Sequence, residues 1–364
     1  MKVALVHYWL VTMRGGEKVL EALCEMFPDA DIYTHVYDKT KISPIINRHK
    51  IYTTSVSRLP FAKKLYTKYL TFMPAAIESI DLSGYDLVIS SESGPAKGVI
   101  IPSTIPHLCY CHTPMRYLWD YYHRYLKESS FLTRAVFKAA AGRLRIWDLA
   151  TANRVTAFAA NSNYVKTRIK AIYRREAEVI YPPVDTYAFQ TQPKGDYYLF
   201  LGQLVGYKRA DLAIEAFRKN GKKLLIIGGG KPPKNLPKNI TVLGFVSNEE
   251  RNSYLARARA LIFPGEEDFG IVPVESIASG TPVIAYGRGG ALETVSHEVS
   301  GLFFYEQSTD ALLQAVEAFE KIEHKFDAKM MRLLAASFDK TVFVRKMRKK
   351  ITALMNEFHK VINE

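Results

Sequence analysis

The chain has 364 residues, long for one hydrophobic core, so two α/β domains of ordinary size are expected. Its 48% apolar and 24% charged residues exclude a disordered or low-complexity chain, and no apolar run reaches the roughly 18 to 20 residues that span a bilayer. The net charge of +14 is concentrated: residues 39–77 hold no acid, and Lys39, Lys41, Arg58, Lys63, Lys64 and Lys68 lie there among Phe61, Leu65, Tyr66, Tyr69 and Phe72. Cations beside aromatic anchors suit an anionic membrane surface, and a plain solvated face is the alternative. Nucleic acid is not expected as a partner, because no zinc-finger or RNA-recognition signature accompanies the charge.

In chain order, Val3–His7 is a continuous apolar run of the buried parallel-strand kind, a better reading of the N-terminus than a signal peptide. Gly15 and Gly16 follow a short loop at a helix start, and residues 17–27 have helical spacing. Asp31–Tyr37, Asp86–Ser90, His107–Cys111, Val155–Ala160 and Ala177–Tyr181 read as further strands with helical stretches between several of them. Tyr181-Pro182-Pro183-Val184-Asp185 is a stiff break. A second alternating series follows, with strands at Tyr197–Leu201, Lys223–Ile227, Ile240–Leu243, Ala260–Phe263, Val283–Ala285 and Leu302–Phe304. The pattern predicts an α/β chain of two facing Rossmann-like domains with parallel sheets and a cleft between them. The first is expected over 1–184 and the second over 185–340. An amphipathic helix closes the chain, with apolar residues at Val342, Val344, Met347, Ile351, Leu354, Phe358 and Ile362.

The most informative stretch runs from Phe263 through Gly265, Glu267 and Gly270 to Glu275. A buried strand ends, a glycine-containing polar loop follows, and Pro273 fits the first turn of a helix. That arrangement places a helix N-terminus at the carboxyl end of a parallel strand, where open α/β sheets bind ligands and free N–H groups attract phosphate. Glu267 and Glu275 bracket the turn, and carboxylates accept well from vicinal sugar hydroxyls. Glu275 has a simpler explanation too, as a first-turn acid stabilised by the helix dipole. In the first half, Gly15 and Gly16 bring backbone close to a phosphate or sugar, or only make a turn. His112 ends a strand, with Arg116, Tyr117, Trp119, Tyr121, Tyr122 and His123 after it, a set suited to a sugar or lipid-pyrophosphate acceptor.

Three competing motifs are set aside. Cys109, Cys111 and His112 lack a second cluster for a metal site. Asp29-Ala30-Asp31 falls at a helix exit, at the wrong end of a strand for a ligand. Gly228-Gly229-Gly230-Lys231 is followed by Pro232 where a phosphate loop needs Ser or Thr and a helix. Three cysteines form no disulfide framework and fit a reducing compartment.

The segment 267–275 resembles the Glu-x7-Glu motif of retaining family 4 glycosyltransferases of the GT-B fold. The resemblance extends to Gly202-Gln203 with Lys208-Arg209, Leu224–Gly230, Val242–Val246, Gly280–Ile284 and Gly289-Gly290 with Glu293. It also takes in Gly15-Gly16-Glu17, His112-Thr113-Pro114, Asn161-Ser162 and Tyr181–Asp185, in the family's order. The closest likeness is to bacterial surface-polysaccharide and O-antigen enzymes. The resemblance implies a metal-independent transferase that moves a hexose, from a UDP-glucose-type donor or GDP-mannose, to a glycan or lipid-linked acceptor with retention. It implies a cytoplasmic place, peripheral on the inner face of a membrane, and no cofactor. It further implies that Glu275 holds the ribose and that Glu267, with backbone around Phe269, Gly270, Ile271 and Val272, holds the donor sugar. Lys208 and Arg209 would neutralise the diphosphate, Phe245 and Val246 would flank the base, and His112 would contact the sugar. Gly15, Gly16 and Gln203 complete the donor site, with Gln203 standing where the family commonly has Arg, and Arg116, Tyr117 and Trp119 meet the acceptor. The C-terminal helix, 341–364, would return to the first domain. A sugar-nucleotide epimerase of the same fold, or an inactive sugar-nucleotide-binding module, are the rival readings.

Overall fold

The computed structural model describes residues 1–363, the last three by their backbone alone. Two compact units divide the chain: Met1–Pro183 together with the stretch from Phe343 onward, and Val184–Val342.

The first unit holds a seven-stranded parallel sheet: β1 (Val3–His7), β2 (Asp31–Thr34), β3 (Ile51–Thr53), β4 (Leu87–Glu92), β5 (His107–Cys111), β6 (Ala157–Ala160) and β7 (Ala177–Val179). Their spatial order is β3-β2-β1-β4-β5-β6-β7. Strands buried on both faces read as near-continuous apolar runs. In β1, Val3 and Leu5 enter one core cluster while Ala4 and Val6 enter another. In β5, Leu108 and Tyr110 join the first, and Cys109 and Cys111 a third. The edge strand β3 is absent from the sequence reading. It has three residues, of which only Ile51 is partly buried, so no apolar run announces it.

The second unit repeats the winding with β8 (Tyr198–Leu201), β9 (Leu224–Ile227), β10 (Ile240–Gly244), β11 (Leu261–Phe263), β12 (Val283–Tyr286) and β13 (Gly301–Phe304), in the order β10-β9-β8-β11-β12-β13. Each order reverses once, between β1 and β4 in the first unit and between β8 and β11 in the second. Those switch points are where loops leave in opposite directions and open a crevice at the carboxyl ends of the strands.

The helix Lys340–Asn363 buries Phe343, Met347, Ile351 and Leu354 in the core beneath β1 and β5. Phe343 meets the ring of Tyr110 edge-on at 5.7 Å. It is a buried anchor that the apolar spacing of the sequence did not include. The side chain of Ile362, counted on that face from sequence, lies outside the described residues.

Candidate active site

In the second unit the site begins where β8 ends. Gly202 and Gln203 lead into a tight turn, Gly206–Lys208. Arg209, in the left-handed region with φ 55°, then starts the helix Ala210–Asn220. Lys208 Nζ donates to Glu267 Oε1 at 2.5 Å, and the two side chains are 17% and 18% exposed, withdrawn from bulk water but reachable. Arg209 is engaged elsewhere. Its guanidinium contacts Asp211 at 3.2 Å and Gln307 at 3.1 Å. The neighbouring cations therefore serve different partners, and Lys208 alone of the two is paired with the Glu267 loop.

That loop joins β11 to the helix Ile271–Ala278. Gly270 caps the helix with φ 91°, a conformation closed to most side chains, so the loop can turn sharply into the helix axis. Gly290 N–H donates to the Glu267 carbonyl at 2.8 Å, which pins the loop from the β12 side. Phe269 is buried, and Ile271 and Val272 are the first helical residues, with Pro273 third. The structure corrects one expectation here. Glu275 is the fifth residue of this helix, beyond the first turn, so the dipole does not account for it. Its Oε2 accepts from Arg251 Nη1 at 3.2 Å. Arg251 belongs to the helix Asn248–Arg257, begun by a Ser247–Glu250 capping box, and no sequence motif marked it.

Phe245 follows β10 directly and is 82% exposed, which settles its reading as core against it. Its ring lies over Gly229, where a β-carbon would come within 2.4 Å. Val246 beside it is partly exposed.

In the first unit, Gly15 and Gly16 are the first two residues of the helix Gly15–Met26. Glu17 completes a capping box, its carboxylate accepting from Arg14 N–H at 2.9 Å. A β-carbon at Gly16 would fall 2.2 Å from Tyr8 Oη and 3.6 Å from His112 Nε2, so glycine there is what admits the Tyr8 hydroxyl. His112 Nε2 is 2.8 Å from Ser91 Oγ at the end of β4. Burial pushes the His112 pKa down to about 4, so the ring is neutral near pH 7. Glu17 is pushed up to about 7 by burial. His7 Nε2 and Glu17 Oε1 are 4.0 Å apart, but burial holds His7 well below its usual value, so the contact is not an ion pair.

The three residues read as acceptor-binding have other partners. Trp119 Nε1 donates to the buried Asp148 at 2.7 Å, Tyr117 Oη donates to Met115 Sδ at 3.1 Å, and both pack against the cluster of Leu118, Phe137 and Leu144. Arg116 contacts the Tyr121 hydroxyl at 3.0 Å. Asp148 in turn binds the wholly buried Lys97, whose backbone N–H donates to Glu92 at 2.8 Å. Burial alone would lower the Lys97 pKa, but Asp148 and Glu92 outweigh it and hold the ammonium above its ordinary value. Burial pushes Glu92 up to about 7. Cys109 and Cys111 are buried free thiols of β5, and Asp31 accepts from Tyr85 Oη at 2.6 Å.

Two strands' ends at one switch point thus bring together a Lys–Glu pair, a helix N-terminus and a second Glu on a helix. Residues 13–187 match the family model described as Glycosyltransferase Family 4, and residues 186–332 the one described as Glycosyl transferases group 1. The chain belongs to the family 4 glycosyltransferases. It is 30% identical over 192 residues to the GDP-mannose-dependent alpha-(1-6)-phosphatidylinositol monomannoside mannosyltransferase of Mycobacterium tuberculosis, covering 43% of this chain and 50% of that one. It is 26% identical over 261 residues to the alpha-1,3/1,6-mannosyltransferase ALG2 of Mus musculus, covering 60% and 59%. The chain thus spans about half the length of the curated relatives it matches. The crystal structure of Anabaena Alr3699/HepE in complex with UDP and glucose shares the fold. Its TM-score is 0.69 at 15% identity, over 96% of this chain and 99% of that one.

Proposed function

We propose that the protein transfers a hexose from a nucleotide diphosphate donor to a glycan or lipid-linked acceptor, without a metal ion and with retention of anomeric configuration. The observation that carries this reading is the Lys208–Glu267 pair at the β8/β11 switch point, beside the helix beginning at Ile271. A donor diphosphate would take over Lys208, and the helix N–H groups would meet its growing negative charge as the sugar bond breaks. Glu267, released from Lys208, would accept from the sugar hydroxyls. Glu275, steadied by Arg251, would accept from the ribose, and the exposed Phe245 would stack on the base.

The weakness of His112 as a base supports retention. Inversion needs a base on the face opposite the leaving group. His112, with its pKa near 4 and its Nε2 on Ser91, is a weak base near pH 7. It suits a neutral hydrogen bond to the sugar. The departing diphosphate oxygen then takes the acceptor proton, and attack comes on the face it leaves. The mannosyltransferase relatives favour a mannose donor of the GDP type. The test is nucleotide release from a panel of sugar nucleotides in chelator, with and without lipid-linked acceptor. Acceptor-dependent release is expected. Conversion of the donor without acceptor would favour the epimerase, and binding without turnover the inactive module.

A further inference from the structure

The sequence pointed to a basic stretch on its own; the structure joins it to a second surface. The helix Phe131–Ala152 buries Phe137, Ala141, Leu144 and Asp148, a single face at helical spacing. A helix on a domain surface ordinarily turns polar residues outward. This one instead exposes Phe131 (85%), Leu132 (73%), Val136, Ile146 and Leu149. The basic stretch lies against it. Lys68 Nζ donates to Thr133 Oγ1 at 3.1 Å, and Leu70 packs against the clusters beneath both segments. From that stretch Phe61 (76%) and Phe72 are also exposed.

We propose that this combined face docks on an anionic lipid bilayer. Charge decides between the possible occupants. Residues 39–77 and 129–147 contain no Asp or Glu, while Lys63, Lys64, Lys68, Lys138 and Arg143 are exposed among the apolar side chains. Lipid phosphates meet those cations while the apolar side chains enter the acyl boundary. A second copy of the same face would set cation against cation. Among the described residues no helix is long and apolar enough to cross a membrane, so the contact is interfacial. The inference deepens the reading of a lipid-linked acceptor and requires no turnover.

The full chain is sedimented with vesicles of phosphatidylglycerol and phosphatidylcholine, or of phosphatidylcholine alone, without donor or acceptor. Binding to the anionic vesicles only, weakened by added salt, is expected. The double variants Phe131→Ser/Leu132→Ser and Lys63→Glu/Lys64→Glu should each lower vesicle affinity about tenfold or more. Lys234→Glu/Lys238→Glu, the same charge change on exposed residues of the second unit, should leave it unchanged. No binding to anionic vesicles would overturn the proposal. So would equal loss in the control variant, or self-association abolished by Phe131→Ser/Leu132→Ser. Vesicle binding without sugar transfer would sink the transfer reading and leave this one standing.

Discussion

In the first unit, strand residues carry polar groups withdrawn from water, His7, Glu92 and His107, with Lys97 and Asp148 packed behind them and His112 partly buried beside Ser91. In the second unit, wound in the same order, the corresponding groups are Lys208, Glu267, Arg251 and Glu275, all partly exposed and held in two ion pairs. The difference teaches how one architecture supports two tasks. Burial keeps His107 and His112 of the first unit neutral, able to present hydrogen bonds without charge, and the buried cation Lys97 is locked onto Asp148. The second keeps charges where an anion can exchange for a carboxylate partner at small cost.

The sharpest way to break this comparison is to remove one lysine from each unit. Lys97→Met leaves two buried carboxylates without their cation and should cost about 3–5 kcal/mol in urea unfolding. Lys208→Met opens a pair that water still reaches and should cost about 1 kcal/mol or less. All three tryptophans, Trp9, Trp119 and Trp147, lie in the first unit, so their fluorescence follows that unit selectively. Equal losses would end the contrast.

Acid should separate the units next. His35 and His107 are pushed down to about 3, and His112 to about 4, all by burial and from a usual 6.5. His7 is lowered as well. A depressed histidine stabilises the fold fully above pH 6.5, and that stability is lost as pH falls toward the folded value. Glu17 and Glu92, raised from 4.5 to about 7, run the other way: their contribution is present below pH 4.5 and lost as pH rises through 7. Between pH 6.5 and 4.5 four histidines oppose two carboxylates, so acidification should destabilise the first unit by up to about 3 kcal/mol per pH unit. Tryptophan emission should shift before half of the helical circular dichroism is lost, and simultaneous loss would contradict the assignment.

Ligand binding sharpens the comparison from the other side. Lys208→Ala and Glu275→Ala should each weaken a nucleoside diphosphate by about 1.5–3 kcal/mol in calorimetry with chelator present. His112→Ala should leave that affinity unchanged while removing transfer, and Glu267→Ala should mainly remove transfer. Affinity restored only by magnesium or manganese would refute the metal-free reading. The smallest effect belongs to Phe245→Ala, about 0.5–1.5 kcal/mol on nucleotide affinity with stability unaltered.

Much of this was legible in the sequence because parallel strands buried on both faces read as near-continuous apolar runs, and twelve of the thirteen strands were located that way, all but the edge strand β3. The glycine and proline punctuation around residues 263–282 likewise placed the loop and its helix. What escaped are pairings across distance. Arg251 meets Glu275 from a polar helix 24 residues earlier, and Lys97 meets Asp148 across 51 residues, separations that no local period encodes. Tyr117 and Trp119 escaped for another reason. An aromatic run beside a strand end does not announce its internal partners, here Asp148 for Trp119 and Met115 for Tyr117.

The central claim is retention through a leaving group that acts as its own base. The most direct measurement is the one-bond C1–H1 coupling of the product sugar by NMR, formed from an α-configured donor in chelator. The account predicts an α-linked product. A β-linked product would contradict it and turn attention to Glu17, whose buried carboxyl with a pKa near 7 lies in the same unit as His112.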